Sequence, residues 1–94
     1  MNPSVDISTT EVSVTASAGG TALLGINTAR RYLAIHNIED QAMSFTVDGT
    51  TPTTTTGYYL PAGTAWTFDV AVPKGAVTAI SHSGTKKVRI AQGT

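Results

Sequence analysis

Apolar and polar positions alternate along most of this chain. In Arg30-Arg31-Tyr32-Leu33-Ala34-Ile35-His36-Asn37-Ile38, Leu33 and Ile35 fall on one side and Tyr32, Ala34 and His36 on the other. A period of two is the mark of a pleated strand. The pattern recurs at 4–8, at 11–17 with Val12, Val14 and Ala16 on one face, and at 42–48 with Met43, Phe45 and Val47. It returns at 64–70 with Trp66, Phe68 and Val70, and at 85–91 with Val88 and Ile90. Shorter apolar runs stand at 21–26, 58–60 and 76–80. Turn formers separate them: Ala18-Gly19-Gly20, Pro61-Ala62-Gly63, Pro73-Lys74-Gly75 and Ser81-His82-Ser83-Gly84. About eight strands at a spacing of roughly 8–12 residues predict an all-β fold, a single antiparallel β-sandwich. Seventeen threonines and eight valines agree, because β-branched side chains suit a pleated surface. No stretch holds helical periodicity for three turns.

Residues 30–38 and 42–48 read as an antiparallel hairpin around the polar tip Glu39-Asp40-Gln41, with Leu33, Ile35, Phe45 and Val47 sharing a core face. Trp66, Phe68 and Val70 are expected to pack into the same core. Residues 48–57, rich in threonine and holding Pro52, read as a solvated surface loop, with contact to a partner as the functional alternative. Residues 1–17 are expected to form an N-terminal strand or arm able to pair with a neighbouring chain, and residues 18–94 the sandwich. Removing residues 1–10 is therefore expected to weaken assembly more than folding.

Composition narrows the functional classes. Ninety-four residues allow one domain. A chain this short buries only ~60% of its unfolded surface, so added burial against partner chains is expected. Formal net charge is zero and 13% of residues are charged, which leaves no basic footprint for nucleic acid. No apolar run approaches the ~20 residues of a membrane helix. Met1-Asn2-Pro3-Ser4 lacks the basic and apolar segments of a secretory signal, so synthesis in a cytoplasm is expected. With no cysteine and two histidines, neither a disulfide nor a zinc site is expected, and no motif for a cofactor is present.

The candidate chemistry is thin. Ser81-His82-Ser83 suggests a nucleophile and its base, but neighbouring residues on a strand or turn point apart, so the triplet cannot make a triad alone. Glu39 and Asp40 adjoin at one tip rather than facing across a cleft, as paired carboxylate catalysis requires. No enzyme is expected. His36 reads as a face residue rather than a switch. Arg30 and Arg31 suit planar pairing with carboxylates of an adjacent chain, or a solvated strand start. Tyr58 and Tyr59 point to opposite faces, so one of them is expected at the surface. The predicted interface comprises Val5, Ile7, Val12 and Val14 of the arm, with Arg30, Arg31, Tyr58 and Tyr59. Exposed tyrosines also admit a carbohydrate-binding module, for which at least two coplanar exposed aromatics are required.

From residue 30 to 91 the chain resembles a known group. The relevant stretches are Arg31-Tyr32-Leu33-Ala34-Ile35-His36-Asn37, Phe45-Thr46-Val47 and Gly57-Tyr58-Tyr59-Leu60-Pro61-Ala62-Gly63. They continue with Val77-Thr78-Ala79-Ile80-Ser81 and Ser83-Gly84-Thr85-Lys86-Lys87-Val88-Arg89-Ile90. These resemble the small all-β virion proteins of tailed bacteriophages, whose strand, "Leu-Pro-x-Gly" turn and closing hairpin follow in the same order. The resemblance implies a jelly-roll-like sandwich acting as a capsid cement or decoration protein on the head surface. Its partners would be the major capsid protein and copies of itself, as a trimer. A head–tail connector or tail component is the alternative virion role. The resemblance does not extend to residues 1–29.

Overall fold

The computed structural model describes residues 7–17 and 19–94. Val5 and most of the expected strand at 4–8 lie outside these described residues. Eight strands follow in chain order: β1 (Ile7–Val14), β2 (Thr21–Leu24), β3 (Tyr32–Asn37), β4 (Met43–Thr46), β5 (Tyr58–Leu60), β6 (Ala65–Phe68), β7 (Val77–Ser81) and β8 (Lys86–Gly93). They form two four-stranded sheets, ordered β1-β8-β3-β6 and β2-β7-β4-β5. Every pairing is antiparallel.

The pairings are nested. β1 lies beside β8, β2 beside β7, β3 beside β6 and β4 beside β5, as in one long hairpin bent at the β4–β5 connection. Rolling that hairpin brings β3 against β8 and β4 against β7, which is the jelly-roll order. Of the seven connections, β4–β5 alone joins strands of the same sheet; every other one crosses the sandwich.

This corrects the expected hairpin of 30–38 with 42–48. β3 and β4 lie in opposite sheets and face each other through the core. Leu33, Ile35 and Phe45 do share that core, with Val47 packed at its margin. Val14, Leu23, Met43, Leu60, Val77, Ala79, Val88 and Ile90 complete it. β1 is the outer strand of the domain's own sheet, in continuous register with β8 from Ile7↔Gly93 to Val14↔Lys86. Residues 7–10 are thus integral to the sandwich, so a cut through residue 10 would remove half of a paired strand.

Strand directions sort the connections to two ends. One end carries Ile7, Gly93 and the connections 25–31, 47–57 and 69–76. The other carries the connections β1–β2, β3–β4, β5–β6 and β7–β8. A buried polar side chain fastens each end. At the first, the Arg30 guanidinium is fully buried and donates to the carbonyls of Pro73 (2.9 Å), Gly75 (3.0 Å) and Gly25 (2.9 Å) and to Gln92 Oε1 (3.0 Å). At the second, Asn37 Nδ2 donates to Gln41 O (2.6 Å) and Leu60 O (3.2 Å), while its Oδ1 accepts from Glu39 N (3.0 Å). Arg30 precedes β3 and Asn37 is its last residue, so each end of this central strand is tied to its neighbouring connections.

Two glycines are fixed by close approach. A Cβ at Gly75 would lie 2.5 Å from Val47 O, where 69–76 crosses 47–57. Gly57 has φ of 101° and would place a Cβ 2.8 Å from Phe45 O, at the entry to β5.

Candidate interaction surface

β5 and β6 are edge strands of opposite sheets, and their aromatic side chains meet along the side of the sandwich. Tyr58 stacks on buried Phe45 with centroids 5.2 Å apart, and meets Trp66 edge-on at 5.1 Å. Trp66 lies 6.3 Å from Phe68. Register puts Trp66 opposite Ile35 and Phe68 opposite Leu33, so both rings point to the core side as alternation predicts. Being on an edge strand, Trp66 nevertheless keeps 38% of its surface exposed. Val70 departs further from the expected core placement: it lies beyond the end of β6 and is 82% exposed.

Val70 has company. Ile26 is 76% exposed and Ile7 54% exposed. All three lie at the end of the sandwich that Arg30 fastens, on β1, 25–31 and 69–76. Asn27 N donates to Lys74 O (2.9 Å), which joins the two connections that carry Ile26 and Val70. Ala71, next to Val70, holds a left-handed φ of 54°, which disfavours a residue with a Cβ. The connection 69–76 is thus held in a costly shape that presents an apolar side chain to solvent. Strain of this kind tends to gather where a surface is used.

Beside this end, Thr46, Val47, Asp48, Thr50, Thr51, Thr56, Gly57 and Tyr58 line a hollow of about 650 Å³. The connection 47–57 is more structured than a passive loop. Pro52 is buried, Thr46 Oγ1 donates to Thr50 O (2.5 Å), and Thr53 and Thr56 bridge one another through their hydroxyls (2.7 Å). Asp48 accepts from the hydroxyl (2.6 Å) and backbone N–H (3.1 Å) of Thr50, and these hydrogen bonds hold its carboxyl below the usual range.

The predicted interface residues divide into three groups. Ile7, Arg31, Tyr58 and Tyr59 are exposed, and Val12 is half-buried. Val5 lies outside the described residues. Val14 and Arg30 are corrections: Val14 is fully buried in its own core, and the Arg30 guanidinium is consumed by carbonyls of its own chain. Neither side chain is exposed on this chain. Tyr58 and Tyr59 are both exposed, where one was expected.

The serine and histidine candidates separate in space. Ser81 Oγ is engaged with its neighbour Ser83, donating to its carbonyl (3.0 Å). His82 Nε2 instead meets Ser44 Oγ at 2.8 Å, and its ring lies 5.6 Å from Tyr59. Among the described residues no carboxylate hydrogen-bonds this histidine, and no group of three acidic or histidine side chains could hold a metal.

Glu39 and Asp40, at the polar tip between β3 and β4, grip the start of β8. Glu39 Oε2 accepts from Lys87 N (3.0 Å), and Asp40 lies 3.0 Å from Lys86 Nζ. The Lys86 hydrogen bond, then its charge, lowers the Asp40 pKa, and Asp40 raises that of Lys86 in the same way. Asp40 therefore contributes stability above its unfolded-state pKa and loses it as pH falls through the lower folded value. Lys86 contributes below its unfolded-state pKa and loses it as pH rises through the higher folded value. The pair acts between about pH 4 and about pH 10. Because both groups are solvated, the effect is small and screened by salt. Asp40→Asn is expected to lower the melting temperature slightly at pH 7 in low salt. That difference should shrink toward pH 3 and in 1 M salt, as followed by circular dichroism.

The fold and its surface define a jelly-roll sandwich whose apolar exposure is gathered at one end and one side. No protein-family model, curated protein or solved structure matches this chain.

Proposed function

We propose that this protein is a structural component of a tailed-phage virion, a cement or decoration protein that binds the head shell and stabilises it by spanning neighbouring capsomers. The observation that carries this reading is the exposed apolar end: Ile7, Ile26 and Val70 all lie at the same end of a small sandwich with few charges, the last two on connections joined to each other. Large apolar residues gathered on one surface mark a contact site. The resemblance of residues 30–91 to phage virion proteins supplies the class of partner. Binding would act by linkage, since a protein that attaches to the assembled shell and not to its free subunits stabilises the shell. A connector or tail role would use the same end against a different virion surface.

A sugar-binding reading draws support from the hollow, which Tyr58, Asp48 and four threonines line. Against it, exposed Tyr58 and Trp66 meet at 60°, so they do not make the coplanar platform that sugar rings favour. The deciding experiment mixes the purified protein with shells of the major capsid protein from the same phage. Co-sedimentation together with a higher shell melting temperature is expected. Absence of both, with a positive glycan array, would replace the virion reading by the sugar one.

A further inference from the structure

The four outer strands of this sandwich are not alike. β5 has three residues and is bounded by Gly57 and Pro61. β6 has four. β2 has four, and its register with β7 shifts between Ala22 and Leu24. Short length, bulges and flanking prolines are the usual devices that keep a sheet edge from recruiting another strand. β1 has none of them. It runs for eight residues, Ile-Ser-Thr-Thr-Glu-Val-Ser-Val, in unbroken register with β8, without proline, glycine or lysine. Its one charge, Glu11, is already occupied by its own sheet, 3.3 Å from Arg89 Nε and 3.7 Å from Lys87 Nζ. Among the described residues no strand pairs with the far side of β1, which therefore offers a long row of backbone donors and acceptors.

We infer that β1 is a self-association edge, pairing antiparallel with β1 of a second copy about a two-fold axis at Thr10. The register follows from the sequence. Antiparallel partners directly opposite lie on the same face of the sheet, so two cores stay on one side only if the paired residue numbers sum to an even value. A two-fold axis at Glu11 would set like charges opposite one another, which is unfavourable. An axis at Thr10 sets Thr10 against Thr10, Glu11 against Thr9 and Ile7 against Ser13, and uses the strand from residue 7 to 13. Threonine pairs across strands are favourable. The product is a continuous eight-stranded sheet, β6-β3-β8-β1 joined to its symmetry copy, with an isologous interface. The occupant is a second copy because this register is self-complementary in length, charge and face. The cyclic trimer that the resemblance implies would need β1 to meet a different edge, and β6, at the other side of the same sheet, is half its length.

The inference does not rest on a virion role and is tested on the purified protein alone. Light scattering across the micromolar range is expected to show a monomer–dimer equilibrium. Thr10 is exposed, so Thr10→Lys should leave the thermal melt of the monomer in place while weakening dimerisation at least tenfold. The chain has no cysteine, so a single introduced thiol reports geometry directly. Under mild oxidation Thr10→Cys should cross-link within the dimer and Ser13→Cys should not. A monomer or trimer at all concentrations would overturn the inference. So would a dimer that Thr10→Lys does not weaken, or one in which Ser13→Cys cross-links as readily as Thr10→Cys. Loss of shell binding by a protein that still dimerises would count against the virion reading alone.

Discussion

Replacing Arg30 by methionine is expected to remove most of the stability of this domain. The side chain is fully buried, and among the described residues it has no carboxylate partner. Its charge is dispersed over three carbonyls and the Gln92 amide oxygen, and burial lowers its pKa from the usual guanidinium value. Methionine fills similar volume but leaves these acceptors unpaired, at a cost of about 1–3 kcal/mol for each that water cannot reach. Partial rehydration brings the expected total to about 3–5 kcal/mol, against the ~5 kcal/mol typical of the less stable small domains. Arg30→Lys keeps the charge but not the fork that spans three carbonyls, so an intermediate loss is expected. Arg31, next in sequence and exposed, gives the contrast: Arg31→Ala should change stability by no more than about 0.5 kcal/mol. Urea titration of the three variants measures all of this. A loss below about 1 kcal/mol for Arg30→Met would show that the guanidinium does not hold the connections 25–31 and 69–76 to each other and to β8.

The second large effect is expected on attachment rather than folding. Ile26 and Val70 are the two most exposed large apolar residues among those described, and they lie on joined connections. Neither contributes to the core, so Ile26→Asp with Val70→Asp should leave the denaturation midpoint nearly unchanged. If this end meets the shell, each side chain contributes about 1.5–3 kcal/mol on burial. The double variant should then lose at least about 3 kcal/mol of binding, roughly a hundredfold in affinity. Ser83→Asp, at the opposite end, should bind as the parent does. Titration of each variant against a fixed amount of shell, read by co-sedimentation, gives the comparison. Equal loss from Ser83→Asp and from the double variant would place the contact elsewhere.

Much of the architecture was legible from alternation alone. The strand positions, the all-β class and the faces of Leu33, Ile35, Phe45, Val88 and Ile90 follow from a period of two. Pairing was not legible, because a five-residue connection such as 38–42 looks the same whether it turns within a sheet or crosses to the other. Asn37 fastens this crossing, its amide gathering carbonyls of Gln41 and Leu60, but asparagine before a polar tip reads equally well as a turn residue. Arg30 was misplaced for a similar reason. Three of its four partners are backbone carbonyls, of residues 25, 73 and 75, and carbonyls carry no sequence signature. Trp66 had its direction read correctly, but alternation does not say whether a strand is central or at an edge. The exposed end was missed because Ile26 and Val70 look like strand residues until the strands are seen to stop short of them. Of the predicted arm, Ile7 lies at that end, and β1 is distinctive for an edge that no described strand pairs with rather than for Val12 and Val14.

The nested pairing has a kinetic consequence. Closing β4 against β5 spans only the connection 47–57, whereas β1 meets β8 across nearly the whole described chain. Loop-closure entropy must be met before distant contacts can reward it, so local pairs form most readily. The β4–β5 hairpin is therefore expected to form first and the pairing of β1 with β8 last. Folding should accordingly take milliseconds to seconds, the range of sandwiches with mostly non-local pairing. On that order β8 would lack its outer neighbour until the final step, and the strand that completes the sheet would be the one with the longest edge left unpaired among the described residues.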